Sequence, residues 1–200
     1  YPEKEWCYFQ KRMMIMLRIL VLCVSLVLFP GPTIFASDCP LQLGDSVLIT
    51  SIGQNLDALI IKTIFDEMKV KADFQPVAPS KVLAEYEQII VSPGISYKGI
   101  AAAGMTVQDE INRARVLAEA AHKHPSQVIL MYLGGFLQGD AKSQELIEIL
   151  APRADVIIVY KDCGGPIDYF RRVSEERSIP IFTIENLGGL SEELSCIFSQ

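Results

Sequence analysis

Six short apolar runs, separated by polar or amphipathic stretches, constrain the fold more than any other feature of this 200-residue sequence. Most of them are apolar nearly throughout, as in SVLITSI at 46–52 and QVILMYL at 127–133. A strand that is covered on both faces has such a run, whereas a half-exposed strand alternates apolar and polar residues. We therefore predict six buried strands, at 46–52, 72–77, 88–92, 127–133, 155–160 and 179–184.

Helical periodicity fills most of the stretches between these runs. Between residues 55 and 70, apolar side chains recur every four positions from Leu56 onward, which is typical of an amphipathic helix. A second helix, predicted over 107–124, begins with Thr106 and Asp109 at the spacing of a capping box. Strands and helices thus alternate along the chain.

This alternation predicts a single α/β domain over 37–200, in which helices cover both faces of a mostly parallel, doubly wound six-stranded sheet. The order of the strands is less constrained. The long connection 97–126 favours a return across the sheet, and hence the Rossmann-like order 3-2-1-4-5-6. The flavodoxin-like order 2-1-3-4-5 is the alternative.

The segment 13–36 has the layout of a secretory signal peptide. Arg18 supplies positive charge, the stretch 19–29 is apolar except for one serine, and Ala36 offers a small residue for cleavage. Residues 1–12 are interpreted as an upstream extension. Cleavage predicts a secreted or periplasmic protein. A retained signal anchor, which would tether the domain to the membrane, is the alternative.

Charge and cysteine content exclude several functional classes. The net charge of −6 makes the chain a poor binder of nucleic acid. The sequence has no CxxC pair and no spacing typical of zinc ligands, so we predict no metal and no cofactor. Cys39 precedes the first strand and Cys196 ends the last helix, which places both at the amino edge of the sheet. They are the expected disulfide pair if one forms.

Doubly wound folds bind ligands at the carboxyl ends of their strands, and most of the 13 glycines fall in the connections that follow those ends. In the first connection, a hydroxyl, a glycine and two amides precede a helix, where N–H groups and the helix dipole favour an anion. These residues are Ser51, Gly53, Gln54 and Asn55. The alternative is that Asn55 only caps the helix. A single glycine does not meet the GxGxxG pattern, so NAD is not expected.

The connection 92–106 is the most unusual. Its part 99–106 has the spacing GxxxxGK[ST], but Met105 replaces the phosphate-binding lysine, so we exclude a nucleotide-hydrolysing loop. We expect this connection to close over a small acidic molecule whose charge a lysine neutralises. The residues expected to hold it are Ser96, Lys98, Gly99 and Gly104. An ordered connection that packs its alanines on the sheet is the alternative.

Two further connections complete this edge. Gly134 and Gly135 begin the fourth, in which Phe136 and Leu137 favour a lid or a partner contact. Cys163 in the fifth lies between a strand and a helix start, where a lowered thiol pKa is expected. Both histidines, His122 and His124, end the helix predicted over 107–124 at the opposite edge, so neither can serve this thiol as a base.

Four segments at these connections carry a resemblance. They are SIGQNLDA (51–58), GISYKGIAAAG (94–104), YLGGFLQGD (132–140) and VIIVYKDCGGPIDYF (156–170). Together they resemble a family of exported bacterial α/β domains of unknown function, over about 46–198. The resemblance implies the same fold and export, but no reaction, because the family carries no established activity.

These observations predict an exported, single-domain protein that binds a small polar or anionic molecule at the carboxyl edge of its sheet. A homodimer or a membrane-protein partner would supply a second wall for the site. An extracytoplasmic hydrolase that uses carboxylates or Cys163 is one alternative. An interaction module without a small ligand, carried by Tyr97, Phe136 and Leu137, is another.

Overall fold

A parallel sheet of six strands forms the middle of three layers in the computed structural model, which describes residues 41–121, 123–134 and 140–199. The strands are β2 (Val47–Ile52), β3 (Asp73–Phe74), β4 (Gln88–Pro93), β5 (Gln127–Tyr132), β6 (Val156–Tyr160) and β7 (Ile181–Ile184). A separate parallel pair consists of β1 (Leu41–Gln42) and β8 (Phe198–Ser199).

Helices connect the strands and cover both faces of the sheet. The α-helices are α1 (Asp57–Glu67), α2 (Tyr97–Ala102), α3 (Val107–Ala121), α4 (Ala141–Leu150), α5 (Pro166–Arg177) and α6 (Leu190–Ile197). Short 3-10 helices occupy Ser80–Glu85, Ala151–Arg153 and Leu187–Gly189. One hydrophobic core joins a face of the sheet to α3, α4 and α5, and a second core joins the opposite face to α1 and α6. The predicted three-layer α/β fold is confirmed.

The strands are apolar throughout because each of them supplies both cores. In β2, Leu48 and Ile52 pack in the first core, whereas Val47 and Ile49 pack in the second. All six residues of this strand are buried. Burial of each large aliphatic side chain contributes about 1.5–3 kcal/mol to folding, so the two-sided pattern fixes the strand in the middle layer.

The strand order is β3-β2-β4-β5-β6-β7, which in chain order is the flavodoxin-like arrangement extended by a sixth strand. The Rossmann-like order 3-2-1-4-5-6 was wrong, because β4 pairs directly with β2 over six residues. Strand β3, the second of the six along the chain, has only two residues, and its Asp73 is exposed. So short a strand cannot separate two long buried ones, and it lies at the edge. The order therefore reverses between β2 and β4, which is the switch point of the sheet.

The connection after β4 contains a helix that the sequence analysis had not predicted. This helix is α2, whose first turn is capped by Ser96: its hydroxyl accepts from the Gly99 N–H at 3.1 Å. The capping box that begins α3 is present. The Thr106 N–H donates to Asp109 Oδ2 at 2.8 Å, and the Asp109 N–H donates to the Thr106 hydroxyl at 3.1 Å.

Several predicted features lie outside the described residues, among them the leader 1–36, Cys39, His122, Gly135, Phe136 and Leu137. Export and cleavage therefore stay predictions. Cys196 is exposed. The register of β1 with β8 pairs Leu41 with Phe198, each two positions after one of the two cysteines, and the Cys39–Cys196 disulfide also stays a prediction. Within the described ranges, no helix combines the length and apolar character that a membrane crossing requires.

Candidate functional site

The switch point between β2 and β4 is filled by the chain itself. Gly53, which follows β2, has a φ of +95°, and its carbonyl accepts from the Ser96 N–H at 2.7 Å. A Cβ atom on Gly53 would lie 2.3 Å from the carbonyl oxygen of Gly94. The absence of a side chain at Gly53 thus lets the connections after β2 and β4 touch each other, where we had predicted that it admits a ligand.

A buried ion pair lies beside this contact. Glu110 of α3 has no exposed surface, and its carboxylate accepts from the Gly53 N–H at 2.6 Å and from Gln54 Nε2 at 3.0 Å. Arg113, one turn further along α3, pairs with the same carboxylate at 2.7 Å and donates to the Ser51 carbonyl. The sequence analysis missed both residues, because their spacing of three is equally typical of an exposed helical pair.

The remaining polar groups of the first connection are also used internally. The Asn55 side chain donates to the Pro93 carbonyl at 2.9 Å and accepts from the Ser51 hydroxyl at 3.2 Å. Asn55 does not cap α1, since the N-cap position is Leu56 and no side chain bonds there. A Cβ atom on Gly99 would lie 2.4 Å from the Gln54 carbonyl oxygen, so α2 packs closely on this connection.

The structure thus brings most of the predicted residues of the first and third connections together, but their polar groups largely satisfy one another. The residues brought together are Ser51, Gly53, Gln54, Asn55, Ser96 and Gly99. Lys98 is exposed and makes no ion pair with a described residue. Gly104 has a φ of +67° in open space and only ends α2. Gly134 lies elsewhere, where an added Cβ atom would be 3.3 Å from Cys163 Cα.

A cleft of about 460 Å³ opens further along the same edge, between the N-terminal ends of α4 and α5. We call it the α4–α5 cleft. It is lined by Tyr132, Asp140, Ala141, Ser143, Gln144, Ile147, Gly165 and Pro166. Its volume lies in the range of roughly 300–1,000 Å³ that is usual for small-molecule sites.

Tyr132 ends β5 and contributes a phenol to this cleft. The residue is 3% exposed, and its ring packs against Phe170 with the centroids 5.6 Å apart. No hydrogen bond joins its hydroxyl to another of the described residues. Burial raises the pKa of Tyr132 to about 12, and negative charge at Cys163 and Asp57 acts in the same direction. At neutral pH the phenol is therefore protonated and can donate a hydrogen bond.

Asp140 lies at the rim and caps α4. Its Oδ2 accepts from the Ser143 N–H at 2.7 Å and from the Ser143 hydroxyl at 2.8 Å, and its Oδ1 accepts from the Tyr97 hydroxyl at 3.1 Å. Partial burial opposes ionisation of Asp140, but these hydrogen bonds outweigh it and lower its pKa. The carboxylate is therefore ionised at neutral pH, with its oxygen atoms engaged by the protein.

Cys163 follows β6 and is buried. The expected lowering of its pKa was wrong. Burial raises the pKa of the thiol to about 11, and the N–H groups facing the sulfur compensate only in part. A thiol whose pKa is raised in this way is a poor nucleophile.

Among the described residues, no three histidine, cysteine, aspartate or glutamate side chains are grouped so that they could hold a metal ion.

Comparisons with known proteins add a family. No curated protein sequence matches the chain. A solved structure with distant similarity is that of the psychrotrophic esterase EstA from Pseudoalteromonas sp., inhibited by monoethylphosphonate. It is 10% identical, with 70% of this chain and 78% of that chain covered and a TM-score of 0.32. Residues 44–198 match the family model DUF6305, a domain of unknown function. The match covers most of the chain and agrees with the resemblance noted in the sequence, so this protein belongs to the DUF6305 family.

Proposed function

We propose that this protein binds a small polar molecule in the α4–α5 cleft. The observation that carries the proposal is the Tyr132 phenol, whose ring is buried and whose protonated hydroxyl has no partner among the described residues, in a residue that lines the cleft. A ligand that offers an acceptor to this hydroxyl replaces water there and gains a hydrogen bond worth about 0.5–1.5 kcal/mol.

The rest of the lining suits a molecule with an apolar body. Ile147 and Pro166 supply apolar walls, while the Gln144 amide lies at the polar side. Nε2 of Gln144 donates to Glu148 at 3.0 Å, which leaves the amide oxygen to accept a hydrogen bond. Small-molecule sites usually combine apolar walls with a few polar groups, as this cleft does.

The proposed site lies at the carboxyl edge of the sheet, as the sequence had predicted, but at a different position along that edge. The predicted site at the switch point is filled by Glu110, Arg113 and the contact of Gly53 with Gly94. The cleft lies instead beyond the carboxyl end of β5. The hydrolase alternative gains no support from Cys163, whose thiol is buried and has a raised pKa.

We further propose that the protein acts after export. The supporting observation is the charge, the apolar run and the small residue of 13–36. Sequencing the N-terminus of the protein recovered outside the cytoplasm tests this, and a mature form beginning near Ser37 is expected. An intact leader in the membrane fraction would favour the signal anchor instead. Whether a homodimer or a membrane-protein partner adds a wall is tested by mass under native conditions.

Tyr132→Phe is the sharpest test of the binding proposal, because it removes one hydroxyl and keeps the ring. Native mass spectrometry and a thermal-shift screen of small polar molecules identify ligands of the natural protein. We expect Tyr132→Phe to weaken their binding by about 3–10-fold, the value of one hydrogen bond.

Tyr86→Phe is the matched control. It also removes a tyrosine hydroxyl, one that donates to Asp73 at 2.8 Å near the opposite edge of the sheet. Ala141→Phe gives a second test, since Ala141 is exposed and lines the cleft, so a larger side chain there blocks it without disturbing a core. If ligands bind equally to the natural protein, Tyr132→Phe and Ala141→Phe, the cleft is not the site.

A further inference from the structure

We infer that the ligand of the α4–α5 cleft is uncharged and presents a carbonyl-type acceptor, as in an amide, ester or ketone, on a small apolar body. This inference rests on the proposed function of the cleft and narrows it. The sequence had left polar and anionic ligands open, and the lining residues distinguish between them.

The charge of the lining disfavours an anion. Among the described residues that line the cleft, Asp140 alone carries a formal charge, and none is a lysine or an arginine. The nearby Lys142 pairs with Glu145 at 2.8 Å. An anion in the cleft would therefore face a carboxylate without a compensating cation. At a separation of roughly 6 Å and an effective dielectric constant of about 40, between those of water and of a protein surface site, this repulsion weakens binding about tenfold.

The helix that begins at the cleft gives an anion little compensation. Pro166 is the first residue of α5 and has no N–H group. The next N–H, that of Ile167, already donates to the Gly164 carbonyl at 3.2 Å. The N–H groups that usually hold an anion at a helix start are thus reduced at this end of α5.

A cation is disfavoured for a different reason. Three of the about four acceptor sites of the Asp140 carboxylate already hold hydrogen bonds from Ser143 and Tyr97, which leaves little capacity to bind a ligand ammonium group. The Tyr132 phenol, which lines the cleft, has a proton to donate. A neutral acceptor satisfies this donor without the cost of burying a charge.

Three probes of similar shape but different charge test the inference on the full chain. These are phenylacetamide, phenylacetate and 2-phenylethylammonium, and binding is measured by calorimetry or ligand-observed NMR. We expect the amide to bind about tenfold more tightly than the carboxylate. We also expect Tyr132→Phe to weaken amide binding by about 3–10-fold.

Asp140→Asn separates charge from shape. Asparagine is as good an N-cap as aspartate, so α4 should keep its first turn while the negative charge is lost. We expect this variant to bring the affinities for phenylacetate and phenylacetamide to within about threefold of each other. Asp140→Ser, a second neutral cap, gives the same result if Asp140→Asn folds poorly.

The possible outcomes separate the inference from the proposed function. Binding of the carboxylate or the ammonium probe as tightly as the amide, with a dependence on Tyr132, would overturn the inference and leave the binding site intact. Probes whose binding ignores both Tyr132→Phe and Ala141→Phe, or no binding by any probe, would count against the proposed function itself.

Discussion

Glu110 is the side chain whose loss we expect to destabilise this domain most, because three donors depend on its carboxylate. They are the Gly53 N–H at 2.6 Å, Gln54 Nε2 at 3.0 Å and the Arg113 guanidinium at 2.7 Å. Glu110 has no exposed surface, so water cannot replace it readily. Glu110→Ala therefore leaves a buried N–H and a nearly buried cation without their acceptor.

The size of the loss follows from the burial of the pair. Removing one partner of a buried ion pair costs about 3–5 kcal/mol. Arg113 is 12% exposed at its side chain and keeps a bond to the Ala78 carbonyl, which places the expected loss near the lower limit. A loss of about 3 kcal/mol is a large part of the 5–15 kcal/mol that holds a typical domain folded.

Urea unfolding followed by far-ultraviolet circular dichroism measures this loss. We expect Glu110→Ala to lower the midpoint while the slope of the free energy against urea stays unchanged, because the same surface is exposed on unfolding. Glu119→Ala is the matched control, since Glu119 is an exposed glutamate on the same helix. It should change the free energy of unfolding by no more than about 0.5 kcal/mol.

A double variant tests whether the cost comes from the unpaired charge. Glu110→Ala combined with Arg113→Met removes both members of the pair, and we expect it to be more stable than Glu110→Ala alone. If Glu110→Ala does not fold, Glu110→Gln, which keeps the shape but not the charge, takes its place with a smaller loss of about 1–2 kcal/mol. Equal stability of Glu110→Ala and Glu119→Ala would refute the reasoning.

Three further predictions follow from single groups. Gly53→Ala should lower the free energy of unfolding by more than about 2 kcal/mol, because a Cβ atom would lie 2.3 Å from a backbone oxygen. Gly104→Ala, in open space at a φ of +67°, should lower it by about 1 kcal/mol. Equal losses of the two variants in urea titrations would contradict this. The lowered pKa of Asp140 stabilises the fold above the unfolded value near 3.9, and this stability is lost as the pH falls through the lower folded value. Asp140→Asn should therefore flatten the acid branch of thermal stability, and an unchanged branch would refute it. After reduction, iodoacetamide near neutral pH should label the exposed Cys196. It should label Cys163 only once urea unfolds the chain, because burial raises the pKa of that thiol to about 11. Equal labelling of the two cysteines in the folded protein, measured by mass spectrometry, would contradict this.

The layers could be predicted from the sequence because burial on two faces leaves a direct trace. The run at 127–133 is apolar at almost every position, and β5 lies there with both faces covered. The capping box of Thr106 and Asp109 likewise depends only on neighbouring residues. Local periodicity and burial on two faces both show directly in the sequence, so the features that depend on them were predicted correctly.

The strand order depends on pairing between distant segments, and the length of a connection does not determine it. The prediction relied on the long connection 97–126, which in fact holds α2 and α3 in one crossover between neighbouring strands. The better signal was the weakness of the second run. The exposed Asp73 in so short a strand indicates an edge position, which favours the flavodoxin-like order.

The site could be predicted only as far as its edge of the sheet. A glycine in a sequence indicates close approach of some group, but it does not say whether the group is a ligand or, as at Gly53, another stretch of backbone. Tyr132 ends an apolar run and is indistinguishable in sequence from an ordinary core residue. What sets it apart is a hydroxyl beside a cleft with no partner in the part of the chain that the structure describes, which is a property of the fold.

Hydrogen bonds connect the filled switch point to the cleft, and one last prediction follows from this connection. Glu110 holds the connection after β2, and Gln54 in that connection forms a β-bridge with Ile95. The Ile95 N–H in turn donates to the Ser143 hydroxyl at 2.9 Å, and Ser143 lines the cleft. We therefore expect Glu110→Gln to weaken phenylacetamide binding by about 2–5-fold although residue 110 does not line the cleft, a modest coupling of well under 1.4 kcal/mol. Glu119→Ala should leave binding unchanged. Equal affinities of Glu110→Gln and Glu119→Ala at full folding would mean that the cleft is built by α4 and α5 alone.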